Sequence, residues 1–353
     1  MSSVSGSELA WSVIENQLED LHASPRLSRS ARVWIPQPDV SPTLFRVLAK
    51  LRAARVEVSH SFRPAVLALE NEGFFSTTSS PTGPLDLVLF VPTRQRTESL
   101  ALLAHALMQL GPDGLLIFAC ANTQGAGGYL THLKEAFPDL EAESARKCRW
   151  VLVPRKLAPD TTVLEDWIRA AAPMRVPGSS FASVPGIYGW NKIDHASEIL
   201  VSTLPDLAGH GADLGSGYGF LAHCALTKFS AMISRLDLVE ADARALDCAR
   251  ENLAEWSQQA HFRWLDATAP ETRTALKNLD WILMNPPFHE GSDVNQDVGR
   301  AFIESAATAL RPGGMLYMVA NTFLAYEKTL IGLFTKVDRV LERNGFKVIH
   351  ARR

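Results

Sequence analysis

Two distant segments of the chain resemble each other, and this repetition limits the folds that the sequence can adopt. The run "LDLVLFVPTRQ" from Leu85 aligns with "LDWILMNPPFH" from Leu279, and "LGPDGLLIFACANT" from Leu110 aligns with "LRPGGMLYMVANT" from Leu310. Each segment contains a short apolar run typical of a buried parallel strand. Matched strands in the same order indicate an internal duplication. Chance similarity is the alternative, since buried parallel strands draw on few residue types.

Apolar runs alternate with longer amphipathic stretches in both halves. The clearest strands are "ARVWIP", "RVEVSH", "LDLVLFVP" and "DGLLIFACAN" in the first half, and "ADLGSG", "SRLDLVEAD", "WILMN" and "GGMLYMVAN" in the second. This alternation predicts a parallel sheet with crossover helices in each half. A length of 353 residues also suits two cores better than one. We therefore predict an α/β protein with two tandem Rossmann-like domains, over residues 1–165 and 166–353.

The two halves differ in the residues that can carry chemistry. Where the second half has "DLGSGYG" and Asn-Pro-Pro-Phe, the first has "WIPQPD" and Val-Pro-Thr-Arg. The first half thus lacks the glycines that let a ligand approach the backbone. We interpret it as a domain that preserves the fold but carries no chemistry, with a structural or RNA-orienting role. The Gly-, Pro- and Ser-rich stretch "APMRVPGSSFASVPGIYGWNKID" is predicted to link the halves and fold over the second.

Composition narrows the class of protein. The net charge of -3 argues against coating nucleic acid by charge alone, so a polyanion would have to meet a local patch. The basic C-terminal stretch "KVDRVLERNGFKVIHARR" is either such a patch or a solvated helix and strand. The cysteines lack CxxC spacing and the histidines form no cluster, so we expect neither disulfides nor a metal. No membrane span and no signal peptide are evident, which favours a soluble, cytoplasmic protein.

A glycine-rich loop lies in "GADLGSGYGFLAHCAL". The pattern predicts a strand that turns on Gly215, Gly217 and Gly219 and continues as a helix. Glycine suits this turn because it adopts unusual dihedral angles and leaves the backbone and the helix N-terminus accessible. Alone, such a loop binds NAD, FAD, another nucleotide or S-adenosylmethionine, or is only a tight turn.

Three acidic residues follow successive predicted strands near this loop. Asp213 directly precedes the glycines, where it could accept a hydrogen bond from a cationic amino group. Glu240 lies where α/β nucleotide sites hold ribose hydroxyls, and Asp266 could accept from an adenine amino group. Any one of them could be a solvated strand-end carboxylate. Three in this order beside the loop favour a pocket for a cationic nucleoside.

The segment Asn285-Pro-Pro-Phe predicts a clamp for an amine. The exocyclic amine of a base is a poor nucleophile, because its lone pair is delocalised into the ring. The side-chain oxygen of Asn285 and the carbonyl of Pro286 can accept its two N–H groups, and the following proline fixes that carbonyl. Phe288 can stack on the flat substrate. No general base is needed nearby, since the proton can leave after transfer. Termination of an edge strand is the alternative.

In this order and spacing, these motifs resemble those of class I S-adenosylmethionine-dependent methyltransferases. Together, "NPPFHEG", "VANTFLAYEKTL" and "VPGIYGWNKIDHASEILVSTLP" resemble the ribosomal RNA guanine-N2 methyltransferases of the small-subunit, RsmC type. The resemblance implies two tandem methyltransferase-like domains, of which the C-terminal one is catalytic. It assigns the cofactor S-adenosylmethionine to Asp213, Gly215, Ser216, Gly217, Glu240, Asp266 and Asn285. It assigns the guanine to Asn285, Pro286 and Phe288 as catalytic residues, with Pro287, His289 and Asp194 as further substrate contacts.

The resemblance implies methylation of the exocyclic N2 amine of a guanine in 16S ribosomal RNA. The expected partner is ribosomal RNA or the small ribosomal subunit, and the protein is expected to be a monomer. Asp194 matches a position before the first core helix, where it would close the pocket, and His289 is alternatively a surface residue. Three other functions stay open: methylation of a protein glutamine, methylation of adenine N6, and a non-catalytic S-adenosylmethionine-binding RNA chaperone.

Overall fold

The chain forms two compact units, Met1–Ala172 and Pro173–Arg353. The structure, a computed structural model, describes residues 5–21, 30–51, 54–287, 289–290, 293–294 and 296–353. The predicted boundary between residues 165 and 166 falls inside the last helix of the first unit, Thr161–Ala170. Within these ranges, no helix is long and apolar enough to cross a membrane.

The first unit contains one seven-stranded mixed sheet. Its described helices are α1 (Gly6–Asp20), α2 (Pro42–Lys50), α3 (Arg63–Asn71), α4 (Arg96–Gln109), α5 (Ala126–Ala136) and α6 (Thr161–Ala170). Its described strands are β1 (Arg32–Pro36), β2 (Arg55–Ser59), β3 (Ser76–Thr77), β4 (Leu85–Phe90), β5 (Leu110–Ala121), β6 (Glu143–Ala145) and β7 (Cys148–Pro154). The strand order is β3-β2-β1-β4-β5-β7-β6, with only β7 and β6 antiparallel to their neighbours.

The second unit repeats this sheet. Its described helices are α7 (His195–Val201), α8 (Phe220–Phe229), α9 (Ala243–Asn252), α10 (Pro270–Ala275), α11 (Gln296–Ala309) and α12 (Glu327–Leu333). Its main strands are β10 (Gly209–Leu214), β11 (Ile233–Glu240), β12 (Ala260–Trp264), β13 (Leu279–Met284), β16 (Leu310–Asn321), β17 (Lys336–Arg343) and β18 (Phe346–Arg352). Their order is β12-β11-β10-β13-β16-β18-β17. Two small hairpins pair β8 (Met174–Arg175) with β9 (Ala182–Ser183) and β14 (His289–Glu290) with β15 (Asp293–Val294).

The duplication extends to irregular details of the two sheets. The register of β4 against β5 shifts after Leu85, and that of β13 against β16 shifts after Leu279, at matching positions. Asp86 accepts a hydrogen bond from the backbone N–H of Arg32 at 2.8 Å, at the start of β1. Its counterpart Asp280 accepts from the backbone N–H of His210 at 2.7 Å, in β10. The predicted α/β fold with two Rossmann-like domains is confirmed.

The C-terminal stretch differs from the sequence expectation. In place of a final helix and strand, residues 336–352 form the antiparallel hairpin β17–β18, so the sheet is mixed and not wholly parallel. The burial pattern of β17 shows why its sequence does not reveal a strand. Nearly all of its residues are exposed or half-buried, because it lies at the edge of the sheet and has no apolar face to alternate with a polar one.

Helices cover both faces of the second sheet. On one face, Ala212, Ile282 and Met284 pack with residues of α11 and α12. On the other, Leu236 and Leu283 pack with residues of α7, α8 and α9. Full burial of each leucine in these layers stabilises the fold by about 1.5–3 kcal/mol. Because helices cover both faces, a ligand can enter at the carboxyl ends of β10, β11 and β13, as in other open α/β sheets.

One carboxylate is buried within this sheet. Asp237, on β11, has no exposed surface and accepts hydrogen bonds from Arg235, His210 and Arg263 at 2.6–3.0 Å. Burial alone would raise the pKa of this carboxyl, but the hydrogen bonds from Arg235, His210 and Arg263 together lower it to about 2. Asp237 is therefore ionised at neutral pH and holds β10, β11 and β12 together.

Candidate active site

The glycine loop joins β10 to α8 as the sequence predicts. Gly215, Gly217 and Gly219 have φ values of 73°, 54° and 88°, a region that favours glycine. The backbone N–H groups of Gly215 and Ser216 both donate to the carbonyl of Val239, at 2.8 and 3.1 Å. The loop is thus anchored to the end of β11 and presents its backbone at the carboxyl edge of the sheet.

Asp213 lies beneath this loop and not on its surface. Its side chain is fully buried, and Oδ2 accepts a hydrogen bond from the backbone N–H of Ala222 at 3.2 Å, within the first turn of α8. The other oxygen, Oδ1, is buried and has no hydrogen-bond partner among the described residues. Burial raises the pKa of this carboxyl to about 7. Asp213 therefore bonds the end of β10 to the first turn of α8 and keeps one oxygen without a protein partner in the described structure.

Glu240 and Asp266 hold the neighbouring turns. Glu240 Oε2 accepts from the backbone N–H of Gly217 at 2.8 Å, and Oε1 accepts from that of Asp242 at 2.8 Å. Burial raises the pKa of Glu240. Asp266 lies two residues beyond the end of β12, and its Oδ1 accepts from both the N–H and the hydroxyl of Thr268. Both carboxylates are therefore partly engaged with backbone groups that shape the edge of the sheet.

An open cleft lies beside the glycine loop. Its lining includes the predicted residues Asp194, Gly215, Ser216, Gly217 and Asn285, together with Tyr188, Gly189, Ser197, Tyr218, Phe220 and Leu221. Asp213, Glu240 and Asp266 are not among the residues that line this cleft. Within the described parts of the chain, the hydroxyl of Ser216 is buried with no hydrogen-bond partner, and a Cβ on Gly217 would have no atom within 4 Å apart from its chain neighbours. An unused acceptor beside accessible backbone suits a polar ligand.

Asn285 follows β13 directly and enters the cleft with its amide held in one orientation. The side-chain Nδ2 donates to Asp194 Oδ2 at 2.7 Å and to Ser197 Oγ at 3.0 Å. Asp194 also caps α7, since its Oδ2 accepts from the N–H and the hydroxyl of Ser197 at 2.9 and 3.1 Å. Because both donors of the amide are engaged on this side, its oxygen, Oδ1, is the group left for a ligand.

The remaining predicted substrate residues are described only in part. Pro286 is buried and Pro287 is exposed, immediately beyond Asn285. Phe288, predicted to stack on the substrate, lies outside the described residues. The backbone of His289 begins β14, the first strand of a small hairpin.

Two residues that the sequence did not single out also organise the cleft. Ser197 contributes its hydroxyl to the Asn285 amide. Asn252, at the end of α9, accepts from the N–H of Ala182 at 2.6 Å and donates to the carbonyl of Tyr218 at 2.8 Å, which fastens the predicted linker stretch to the glycine loop. Asp194 and Ser197 form a helix-capping pattern that marks where α7 begins. For Ser197 and Asn252, however, the sequence does not indicate which residues they contact across the fold.

No group of three or more His, Cys, Asp or Glu side chains in the described parts of the chain is arranged to hold a metal ion. The polar side-chain groups that line the cleft include the Asp194 carboxylate, the Asn285 amide and the hydroxyls of Ser197 and Ser216. Carboxylates near a glycine loop suit a ligand with cationic and hydroxyl groups.

Comparison with known proteins agrees with this geometry. The methyltransferase small domain family matches residues 178–350. The chain is 26% identical over 269 residues to ribosomal RNA small subunit methyltransferase C of Vibrio cholerae, covering 76% of this chain and 77% of the relative. It is 29% identical to the Shewanella halifaxensis protein of the same name, covering 69% and 70% of the two chains. The protein of that name from Pseudomonas putida is 28% identical, over 75% and 78%.

A solved structure has the same fold over nearly the whole chain. It is the T. thermophilus 16S rRNA N2 G1207 methyltransferase (RsmC) in complex with AdoMet and guanosine. The TM-score is 0.75 at 24% sequence identity, and the match covers 92% of this chain and 88% of the other. Residues 178–350, in the second unit, therefore match the methyltransferase small domain family, and the whole chain shares the fold of this RsmC structure and is similar to proteins named ribosomal RNA small subunit methyltransferase C.

Proposed function

We propose that this protein methylates the exocyclic N2 amine of a guanine in 16S ribosomal RNA, using S-adenosylmethionine. The observation that carries the proposal is the orientation of Asn285, whose amide nitrogen is engaged by Asp194 and Ser197 so that its oxygen can accept an N–H group. The names of the curated relatives and the AdoMet and guanosine in the T. thermophilus structure support the same reaction. We propose further that the protein acts as a monomer in the cytoplasm.

The residues of the cleft and the carboxylates at the neighbouring strand ends fit the cofactor. Gly215, Ser216 and Gly217 would hold it through accessible backbone and the unpartnered Ser216 hydroxyl. Glu240 would accept from its ribose hydroxyls with lone pairs that the Gly217 and Asp242 amides leave over, since a carboxylate has about four acceptor sites. Asp266 would accept a hydrogen bond from its adenine amino group, and Asp213 would act from beneath the loop. When bound, S-adenosylmethionine supplies an electrophilic methyl group on a sulfonium centre.

The end of β13 would hold the nucleophile. Asn285 Oδ1 and the Pro286 carbonyl accept the two N–H groups of the amine, which localises its lone pair and aims it toward the cofactor. Pro287 would contact the surroundings of the base, whereas the predicted contacts of Phe288 and of the His289 side chain lie outside the described parts of the structure. Geometry matters more than basicity here, because a misplacement of about 1 Å can cost about a hundredfold in rate.

The first unit would orient the RNA. Exposed Arg94 and Arg96 follow β4, and exposed Arg146 and Lys147 form the β6–β7 turn beside the end of β5, where Asn122 N–H donates to the Lys147 carbonyl. None of these four cations has an ion pair within the described residues. Unpaired cations at one edge of a sheet suit an RNA phosphate backbone. In the second unit, the corresponding edge carries the cleft.

The experiment that tests this function follows radiolabelled methyl groups. The protein is incubated with labelled S-adenosylmethionine and, separately, with deproteinised 16S rRNA, small ribosomal subunits, a transfer RNA pool and a peptide release factor. Label should enter 16S rRNA or the small subunit and be recovered as N2-methylguanosine after digestion. Label in the release factor, or in adenosine, would reject the proposal.

Two substitutions assign the roles. Asn285→Ala should reduce transfer at least about a hundredfold while the affinity for S-adenosylmethionine stays near that of the wild type. Asp213→Ala should weaken the affinity for S-adenosylmethionine first. Asn71→Ala, at an exposed position that ends α3 in the first unit, is the matched control and should change neither quantity. A large loss of cofactor affinity in Asn285→Ala would contradict the assignment of Asn285 to the substrate.

A further inference from the structure

We propose that Asp194 and Ser197 are positioning residues that fix the side-chain amide of Asn285 in one of its two possible orientations. The inference deepens the proposed function, on which the meaning of that orientation rests. It goes beyond a substrate contact at Asp194, because neither residue needs to touch the substrate to act.

The contacts form a closed set of three side chains. Asn285 Nδ2 lies 2.7 Å from Asp194 Oδ2 and 3.0 Å from Ser197 Oγ. Ser197 in turn donates its hydroxyl to Asp194 Oδ2 at 3.1 Å. Asp194 and Ser197 stand on the first turn of α7, and Asn285 stands at the end of β13, 91 residues along the chain from Asp194. The set thus connects a helix start to a strand end across the cleft.

The chemistry of the three groups allows one arrangement. An ionised carboxylate only accepts hydrogen bonds, so the group of Asn285 that faces Asp194 must be the NH2. A flipped amide would put its oxygen against a carboxylate oxygen at hydrogen-bonding distance and would lose a charge-assisted bond. The Ser197 hydroxyl donates to Asp194 and accepts from Asn285, so it reinforces the same direction. Asp194 therefore determines which end of the Asn285 amide enters the cleft.

This arrangement has a consequence for the substrate. The cleft presents a fixed acceptor at the end of β13, which suits a nucleophile that carries N–H groups. A ring carbonyl or an unprotonated ring nitrogen needs a donor at this position and finds none on Asn285. We therefore assign to Asp194 and Ser197 part of the preference for an exocyclic amine over a ring nitrogen or a carbonyl oxygen.

A purely structural role for Asp194 is the competing explanation, since it also caps α7 through the Ser197 N–H. The two roles can be separated, because asparagine caps helices about as well as aspartate. Asp194→Asn keeps the cap but no longer forces the Asn285 amide to face it with its NH2. A loss of rate in this variant without a loss of stability would come from the amide.

The test exchanges the two side chains. Asp194→Asn should lower kcat for methyl transfer to 16S rRNA about 10- to 100-fold with little change in the KM for S-adenosylmethionine. Asn285→Asp should be at least as damaging, because it puts two carboxylates 2.7 Å apart. The double variant restores one donor and one carboxylate with exchanged positions. It should recover at least about tenfold in kcat over Asn285→Asp, because an amide at position 194 can donate to the carboxylate at position 285, which removes the repulsion and holds an acceptor toward the cleft.

Two controls complete the design. Asp160→Asn, at the N-cap of α6 in the first unit, changes the same chemical group at a cap and should keep the wild-type kcat. Ser197→Ala should lower kcat less than Asp194→Asn, since one of the two contacts to the amide remains. If the double variant is no more active than Asn285→Asp, or if Asp194→Asn keeps the wild-type kcat, the positioning role is wrong.

A measurement independent of turnover separates this inference from the proposed function. The side-chain NH2 of Asn285, assigned in the ¹⁵N spectrum by its loss in Asn285→Asp, should exchange slowly with solvent in the wild type. Asp194→Asn should accelerate that exchange at least about fivefold, because a charge-assisted bond is lost. If the wild-type protein labels no RNA but shows this protection, the proposed function fails and the positioning role stands. Equal exchange in the two proteins overturns the positioning role, whatever the activity.

Discussion

The carboxyl group of Asp213 should make the second unit lose stability as the pH rises. It is fully buried under the glycine loop, with one oxygen bonded to the Ala222 N–H and the other unpartnered. Burial raises its pKa from 3.8 to about 7. Between these values the folded protein keeps this proton while the unfolded chain has released it. The unfolded state then binds fewer protons, so the free energy of unfolding falls with increasing pH.

The size of the effect follows from the shift in pKa. One pKa unit corresponds to about 1.36 kcal/mol, so a shift of about 3 units sets a ceiling of about 4 kcal/mol. The stabilisation is complete below pH 3.8 and lost by about pH 7. Between pH 5 and pH 8 the wild type should lose about 3 kcal/mol through this group alone. Asp213→Asn keeps the shape of the side chain but cannot ionise, so it should lack this component.

The assay compares how unfolding free energy depends on pH in the two proteins. Urea titrations at pH 5, 6, 7 and 8, read by amide hydrogen exchange in β10, report on the second unit even if the two units unfold separately. The difference between wild type and Asp213→Asn cancels the titration of every other group. Asp206→Asn, at an exposed position in the same unit, should keep the wild-type slope. Parallel slopes for wild type and Asp213→Asn would refute the reasoning.

Four further substitutions test buried contacts of the second unit. Lys347 is buried, and its ammonium donates to Glu327 and to a main-chain carbonyl at 2.6 Å each, so Lys347→Met should lower the free energy of unfolding by about 1.5–3 kcal/mol in urea titrations. Gly299→Ala would push a methyl group into the Tyr326 hydroxyl and should lower the free energy of unfolding by about 1–3 kcal/mol. Tyr326→Phe removes a buried hydroxyl that has no hydrogen-bond partner among the described residues, so it should not destabilise the fold. A Tyr326→Phe variant less stable than Gly299→Ala would contradict the packing. The pKa of Asp237 is lowered to about 2, so its stabilisation is present above pH 3.8 and lost as the pH falls toward 2. Asp237→Asn should therefore be less stable than wild type by about 2.5 kcal/mol at pH 7 but equal to it near pH 2, as measured by acid titration of the fold.

The elements that depend on local pattern could be predicted from the sequence. Apolar runs located the inner strands of both sheets, and repeated runs revealed the duplication, because a strand buried on both faces needs a continuous apolar sequence. The glycine loop was also predictable, since its three positive φ values restrict the residue type. The order of these elements then placed Asn285 and Gly217 at the same edge of the sheet.

The contacts between residues on opposite sides of the cleft could not be predicted from the sequence in the same way. The capping pattern at Asp194 predicts where α7 starts but not that this start faces Asn285, which depends on how α7 packs against the sheet. Asp213 was expected to meet a ligand, because a strand-end carboxylate looks exposed in sequence; in the fold, the first turn of α8 covers it. The edge strand β17 lacks an apolar face, so its charges resemble those of a solvated helix.

Because the two units have the same strand order, each unit can be compared with the other, position by position. Properties that both units share, such as the register shift beside Leu85 and Leu279, belong to the common scaffold. The three left-handed glycines after β10 have no counterpart after β1, so they belong to the cleft of the second unit. Introducing those glycines after β1 would test whether a glycine loop alone lets the first sheet bind a ligand.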